Sequence, residues 1–381
     1  MRRLVFLFMS KSSATPYSTK RVKPTNPCGD YYLNAFRGEC YFQMLEELLR
    51  LDIFHELFIF YESNINPGLA DWIRDKNLKY RVHCEVIPEI RFVDEYINDD
   101  TVIFVRGGFK HWFEFLAKYK NKNWLMIYAA NTGRSKWKFW DVILEDIATK
   151  NNYVDDHGRY HFKFTKPTNE NLFFFKNYPV KIDVCIGASH IHDKKGQYHI
   201  VEAIKILKKD FNYHVNAVLP GSSRGGINSA KMLNYLSQTS VEYVGYLPKY
   251  QLSEIFNYSK LFVHMGNHGQ NDRSLLEAFA CGTPIIYKSF IHHDPELKKY
   301  CHLFEHENNH YLLAKAIKSS LDTFKQSHKE VISREYKKNF GFKEKVIPKM
   351  SKLLDFMFRY KPDKTSKTVL TKIFKGNLCD L

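Results

Sequence analysis

The sequence predicts an α/β protein made of two doubly wound domains in tandem. Three observations carry this expectation. Short apolar runs alternate with helix-period segments along most of the chain, the pattern of parallel strands joined by crossover helices. The alternation pauses between Lys150 and Pro179 and then resumes. A length of 381 residues suffices for two domains, each with its own core.

In the first half the expected strands are Leu4–Met9, Leu57–Tyr61, Val82–Ile87, Val102–Val105 and Trp124–Tyr128. The opening Met1-Arg2-Arg3 and the run after it imitate a secretory signal. That run is short and no small-residue cleavage site follows, so it reads as a buried strand. Gly38–Leu51 is expected to be helical, because Tyr41, Met44, Leu45, Leu48 and Leu49 share one face. A polar stretch from Ser10 to Asp30, with Lys11, Lys20, Arg21 and Lys23, separates strand from helix; a connection that long is functional or disordered. Asn151-Asn152, Asp155-Asp156-His157-Gly158 and Lys166-Pro167-Thr168-Asn169 crowd the pause, and the domain boundary is expected inside Pro167–Pro179.

In the second half the expected strands are Lys181–Gly187, Val215–Leu219, Val241–Val244, Leu261–His264 and Pro284–Tyr287. Helices are expected at Gly196–Lys208, near Ser229–Gln238, at Leu252–Asn257, and from Arg273 to just before Gly282. Two terminal helical segments follow, Leu312–Phe324 first. The division read from this is 1–175, 176–350 and a tail, 351–381, helical and then basic.

Composition excludes a disordered, collagen-like or disulfide-scaffold chain. No apolar run approaches the roughly 18 residues of a membrane span. Lys plus Arg is 57 against 41 Asp plus Glu, a formal charge of +16. Such a surface favours polyanions, whether nucleic acid, anionic lipid or phosphorylated ligands, although compositional drift toward Lys, Asn and Ile also yields it. The seven cysteines (Cys28, Cys40, Cys84, Cys185, Cys281, Cys301 and Cys379) are scattered, without Cys-x-x-Cys or zinc-type spacing. They imply a reducing compartment with most thiols buried. Neither a His-Glu-x-x-His helix nor a Gly-x-Ser-x-Gly elbow occurs.

The strongest chemical signal runs from Asn271 to Ile286. It reads as a strand end, a helix N-terminus at Asp272-Arg273-Ser274, then Gly-x-Pro into the next strand. A helix N-terminus offers free N–H groups and partial positive charge to a phosphate. Glu277, about one turn in, either accepts from ribose hydroxyls or complements the helix dipole, and spacing alone leaves both open. Facing sheets of this kind bind ligands outside their carboxyl ends, which puts the expected site in an inter-domain cleft.

Leu276-Glu277-Ala278-Phe279-Ala280-Cys281-Gly282-Thr283-Pro284 resembles the motif Leu-Glu-Ala-x-Ala-x-Gly-x-Pro of the retaining GT-B glycosyltransferases of family 4 and matches each fixed position. Gly187 followed by Lys195-Gly196-Gln197, and Tyr243–Leu247 followed by Leu252, Phe256 and Leu261–His264, resemble the same domain's opening and middle. The resemblance spans about Lys181 to Phe356; the first half shares only its rhythm and Gly38. It implies a GT-B fold of two Rossmann-like doubly wound domains facing a central cleft, with the final helix crossing back to the first domain.

It also implies hexosyl or pentosyl transfer from a UDP- or GDP-sugar with retained anomeric configuration. Lys195 is then the cation on the departing diphosphate, where a solvated lysine is the plain alternative. Gly187, Ser189, Asp272, Arg273 and Ser274 line the phosphates, Glu277 holds the ribose, and Tyr246 and Leu247 meet the base. Read from the residues themselves, Gly221, Gly225 and Gly226 with Arg224 either touch phosphate or form a plain turn. A Lys and a helix end replace a divalent ion, so no cofactor or metal is expected beyond the donor. Three departures bear on the sugar. Gly269 stands where the family has a second carboxylate, Ala188-Ser189-His190 where it has an Arg, and Asn271-Asp272-Arg273 where it has Phe-Gly-Leu. His268, Gln270, Asn271 or Asp272 then takes over sugar recognition, and Arg273 supplies the missing cation.

The first domain is expected to hold the acceptor through Arg106, His111, Asn131 and Arg134. The resemblance implies a catalytic His after one of these strands, facing the transferred sugar; His111 is the candidate, with packing beside Trp112 the plain alternative. Expected acceptors are a glycan or lipid-linked saccharide, on a cytoplasmic enzyme with an anionic membrane surface as a peripheral partner. The stretches Phe109–Lys122 and Ser135–Trp140 suit such a surface or an ordinary helix. Two alternatives stand beside this: a virus-type enzyme glycosylating hydroxymethylated DNA bases, which must flip the base, and a non-catalytic nucleotide- or sugar-binding module.

Overall fold

Two parallel sheets organise the protein. The structure, a computed structural model, describes residues 1–8, 40–61, 81–86, 90–106, 115–128, 139–145, 153–165, 168–187, 196–221, 227–245, 247–266, 273–288, 299–306 and 308–362. The chain divides into two compact units, one of Met1–Asp146, Lys150–Pro167 and Val346–Leu381, the other of Ile147–Thr149 and Thr168–Lys345.

The first unit holds β1 (Arg3–Phe8), α1 (Cys40–Arg50), β2 (Glu56–Tyr61), β3 (Arg81–Val86), β4 (Thr101–Arg106), β5 (Trp124–Tyr128), β6 (Val142–Glu145), β7 (Tyr153–Val154) and β8 (Tyr160–Lys163). Their order is β3-β2-β1-β4-β5-β6-β8-β7, parallel except for the antiparallel β7–β8 pair. Leu4 to Leu7 are wholly buried, as a central strand covered on both faces must be. In α1, Met44, Leu45, Leu48 and Leu49 form the buried stripe.

The pause expected between Lys150 and Pro179 is not a linker throughout. Asp155–Gly158 is the turn of the β7–β8 hairpin, with Gly158 at φ 77°. The first unit therefore runs to Pro167, and the boundary precedes 175/176 because Phe173 is buried in the second unit's core. Phe139 and Trp140, at the end of a stretch that suited a membrane surface or an ordinary helix, are buried in the first core with Leu116.

The second unit holds β9 (Ile182–Ile186), α2 (Gln197–Phe211), β10 (Ala217–Pro220), α3 (Ile227–Leu236), β11 (Val241–Gly245), α4 (Lys249–Tyr258), β12 (Ser259–His264), α5 (Arg273–Ala280), β13 (Ile285–Lys288), β14 (Cys301–Phe304), α6 (His310–Asp322) and α7 (Gln326–Phe340). The all-parallel order β11-β10-β9-β12-β13-β14 is that of a doubly wound nucleotide-binding domain. In α2, Ile200, Val201, Ile204 and Leu207 recur at helical spacing and are buried, and Asn212 ends the helix in the left-handed region. Asn309 caps α6 by accepting from the Leu312 N–H at 2.9 Å.

After a π turn at Phe342–Val346 the last described helix, α8 (Ile347–Arg359), returns to the first unit and packs on α1 and β4. Trp124 Nε1 donates to the Tyr360 carbonyl at 2.6 Å. Among the described residues no helix is long and apolar enough to cross a membrane.

Candidate functional site

The carboxyl edge of the second sheet is built on close backbone approaches. Gly196 caps α2 with φ 71° and offers no side chain to its first turn. A Cβ there would lie 2.0 Å from the Met265 carbonyl oxygen, so only glycine lets α2 start against the end of β12. Gly187, just past β9, is equally confined: a Cβ would lie 2.6 Å from the Phe262 ring and 2.8 Å from that of His264. The first turn of α2, which receives no side-chain cap from Gly196, therefore lies at the edge where ligands of such sheets bind.

Glu277 lies in the second turn of α5 and is almost fully buried. Its Oε1 accepts from Lys249 Nζ at 2.6 Å, an ion pair joining α5 to the start of α4. Dipole complementation alone is thus not its role, since a buried carboxylate has acquired a specific cation. Around it the helix is packed on all sides. Gly282 has φ 76°, and a Cβ on it would meet the Lys329 carbonyl oxygen at 2.1 Å. Thr283 Oγ1 donates to the Phe256 carbonyl and Ser333 Oγ to that of Ala280, both at 2.7 Å. Lys329 is fully buried and donates to the carbonyls of Phe256, Asn257 and Ser259 at 3.1, 2.7 and 2.8 Å, closing the end of α4. Burial pushes its ammonium down to about 8. Burial pushes the Cys281 thiol up to about 12, which makes it unreactive.

The other expected residues divide by what is described. Gly221 is buried at the end of β10, donating to the Gly245 carbonyl at 2.8 Å and accepting from the Tyr243 hydroxyl at 2.9 Å, so it belongs to a fixed turn. Leu247 lies just before α4; Arg273 and Ser274 open α5, Ser274 buried and Arg273 half-buried. Arg106 ends β4; its side chain lies outside the described residues, as do Ser189, Lys195, Tyr246, Asp272, His111, Asn131 and Arg134. Sequence reasoning missed Lys249. The available signal was a lysine in the first turn of a helix, where the dipole disfavours a cation. Among the described residues no group of three or more His, Cys, Asp or Glu could hold a metal ion.

Comparison of folds places the chain with GT-B proteins, two parallel-sheet Rossmann-like domains. A glycosyltransferase from Rickettsia africae ESF-5 superposes with a TM-score of 0.65 at 11% identity, covering 94% of this chain and 100% of that one. Sucrose-phosphate synthase from Thermosynechococcus elongatus gives 0.58 at 11%, covering 94% and 100%. The E. coli chain described as trehalose-6-phosphate, bound with UDP-2-fluoro glucose, gives 0.55 at 9%, covering 94% and 99%. At these identities the likeness is one of fold. In sequence, residues 168–338, nearly the whole second unit, match the family model of glycosyl transferases group 1. No curated protein matches the chain. The family match supports nucleotide-sugar glycosyl transfer as the class of activity.

Proposed function

We propose that the chain is a retaining glycosyltransferase that moves a hexosyl or pentosyl group from a UDP- or GDP-sugar to a glycan or lipid-linked saccharide. One observation carries the reading: the match to glycosyl transferases group 1 falls on the unit that holds the glycine-capped start of α2 and the buried Glu277. Lys195, immediately before Gly196, meets the charge that develops on the departing diphosphate, and the first-turn N–H groups of α2 and α5 share that load. Arg273 adds a second cation, and Gly187, Ser189, Gly221, Asp272 and Ser274 contribute around the phosphates. Glu277 accepts from the ribose, and Tyr246 and Leu247 meet the base. Charge on the leaving group is met by protein, so turnover needs no divalent ion. Arg106, His111, Asn131 and Arg134 serve the acceptor. The buried free thiols Cys185, Cys281 and Cys301 suit a reducing, cytoplasmic setting.

The test is a thermal-shift panel with UDP, GDP, ADP and their sugars, and duplex DNA as a separate arm at two salt concentrations. A ligand binding only the folded state at 100 times its Kd adds about 2.7 kcal/mol of stability, so UDP or GDP is expected to raise the Tm, and the matching sugar is then assayed for turnover. Should DNA shift the melting, steeply with salt, and no nucleotide do so, a nucleic-acid-binding protein is the better account.

A further inference from the structure

Lys249 is the first residue of α4, after Leu247 and Pro248. Its own helix does not favour it there: the first turn carries partial positive charge, and no acidic residue occurs in that turn. The ammonium instead reaches α5 and donates to Glu277 Oε1 at 2.6 Å, 5.5 Å from the centroid of the Phe173 ring. The pair is graded toward solvent, with the Glu277 side chain 3% exposed and that of Lys249 23%. Of the two, Lys249 is the member that offers more surface to a ligand. A lysine ammonium has three N–H donors, and among the described residues one of them is engaged, by Glu277.

We infer that Lys249 is a nucleoside-binding residue that bridges Glu277 and the donor's ribose, so that ammonium and carboxylate together read the ribose hydroxyls. The inference rests on the reading that this edge takes a nucleotide sugar. A hydroxyl both donates and accepts. An ammonium–carboxylate pair answers both capacities of a vicinal diol, whereas a lone carboxylate answers one. A residue that touches only the nucleoside holds donor and transition state alike, so its loss raises KM for the donor more than it lowers kcat.

The experiment is calorimetric titration of UDP and GDP, and of their 2′-deoxy counterparts, into wild type, Lys249→Met and Lys249→Arg. Wild type should prefer the ribonucleotide by about tenfold, the scale of one hydrogen bond to a charged group. Lys249→Met should lose about tenfold in ribonucleotide affinity and nearly all of that preference, and Lys249→Arg should recover most of both. In turnover Lys249→Met should raise donor KM with kcat little changed. Should Lys249→Met not fold, Lys249→Gln makes the same comparison. A lysine that merely pins α4 to α5 would weaken both nucleotide forms equally, in step with Tm; that result, or tighter ribonucleotide binding by the variant, overturns the inference. Wild type that binds neither diphosphate overturns the donor-site reading and this one with it, whereas wild type that binds both with no dependence on residue 249 overturns this one alone.

Discussion

Gly196 and Gly245 form a matched pair for measuring how tightly the edge of the second sheet is built. Both hold left-handed backbone, at φ 71° and 72°. Their surroundings differ completely. A Cβ on Gly196 would lie 2.0 Å from the Met265 carbonyl oxygen and 2.3 Å from its carbon, while a Cβ on Gly245 would meet nothing within 4 Å. Alanine at Gly245 therefore costs backbone strain alone, about 1–2 kcal/mol. Alanine at Gly196 costs the same strain plus a forced shift of main chain, for which core overpacking gives a further 1–3 kcal/mol or so. The obstructing atoms are backbone, so no rotamer change relieves them. Urea unfolding of Gly196→Ala and Gly245→Ala, compared at equal m-value, should place Gly196→Ala lower by about 1–3 kcal/mol. Gly196→Ala should also weaken nucleotide binding, because α2 is pushed off β12. Equal losses from the two variants would refute the reasoning, since Met265 would then be yielding freely.

Lys195→Ala and Glu277→Ala should each lower kcat/KM by about 100-fold, the scale of one charge-directed contact, with Tm recorded for each; near-normal rates from both would remove the donor-site assignment. Lys329 gives a signed pH dependence. Its folded-state pKa is pushed down from 10.5 to about 8, so the unfolded chain binds more protons between those values and wild-type stability rises with pH across that window. Lys329→Met lacks this slope, and paired urea titrations near either end of the window should show wild type gaining on the variant. The buried thiols Cys185, Cys281 and Cys301 should resist alkylation in the native protein and react once urea unfolds it, as read by mass spectrometry of the labelled peptides.

Where side-chain periodicity alone decides an element, the sequence was a sufficient guide. α2 is the clear instance, with its stripe of Ile200, Val201, Ile204 and Leu207. Elements whose polar residues are buried by pairing escaped it. β8 reads Tyr-His-Phe-Lys, and His161 looks like a surface residue. In the fold it is buried between Glu145 at 2.7 Å and Asp155 at 3.1 Å, with its ring 4.3 Å from that of Tyr153. Asp155-Asp156-His157-Gly158, part of the pause in the strand–helix rhythm, are a hairpin turn, and such turns share their composition with loops between domains. β6 and β14 are four residues each, too short to declare a period. At the candidate site, Glu277 was singled out by its place after a helix start, though spacing left its role open, and the structure buries it. Lys249 was not, because its partner is 28 residues away on another helix.

The motif that most strongly suggested glycosyl transfer is, residue by residue, mainly a packing device. Ala278, Phe279, Ala280 and Cys281 are buried against α4 and α7. Gly282 accepts the close passage of Lys329, with its N–H donating to Phe279 and that of Thr283 to Ala278, the turn that ends α5. The Pro284 carbonyl then accepts from the Phe262 N–H at 2.8 Å as β13 begins. Glu277 alone in that run carries a charge, and it is paired with the more exposed Lys249. A change at any other motif position is thus felt first by the junction of α4, α5 and α7 and by the entry to β13, whatever sugar is bound. Ala188-Ser189-His190 and Gly269, where the resemblance expects an Arg and a carboxylate, lie outside the motif. The motif therefore carries the packing of the second unit, and on the function proposed above Glu277 with Lys249 is left to recognise the nucleoside. On that proposal the choice of sugar falls to positions outside the motif, so restoring the carboxylate with Gly269→Glu should change which donor sugar is used and leave the Tm gain from UDP or GDP unchanged.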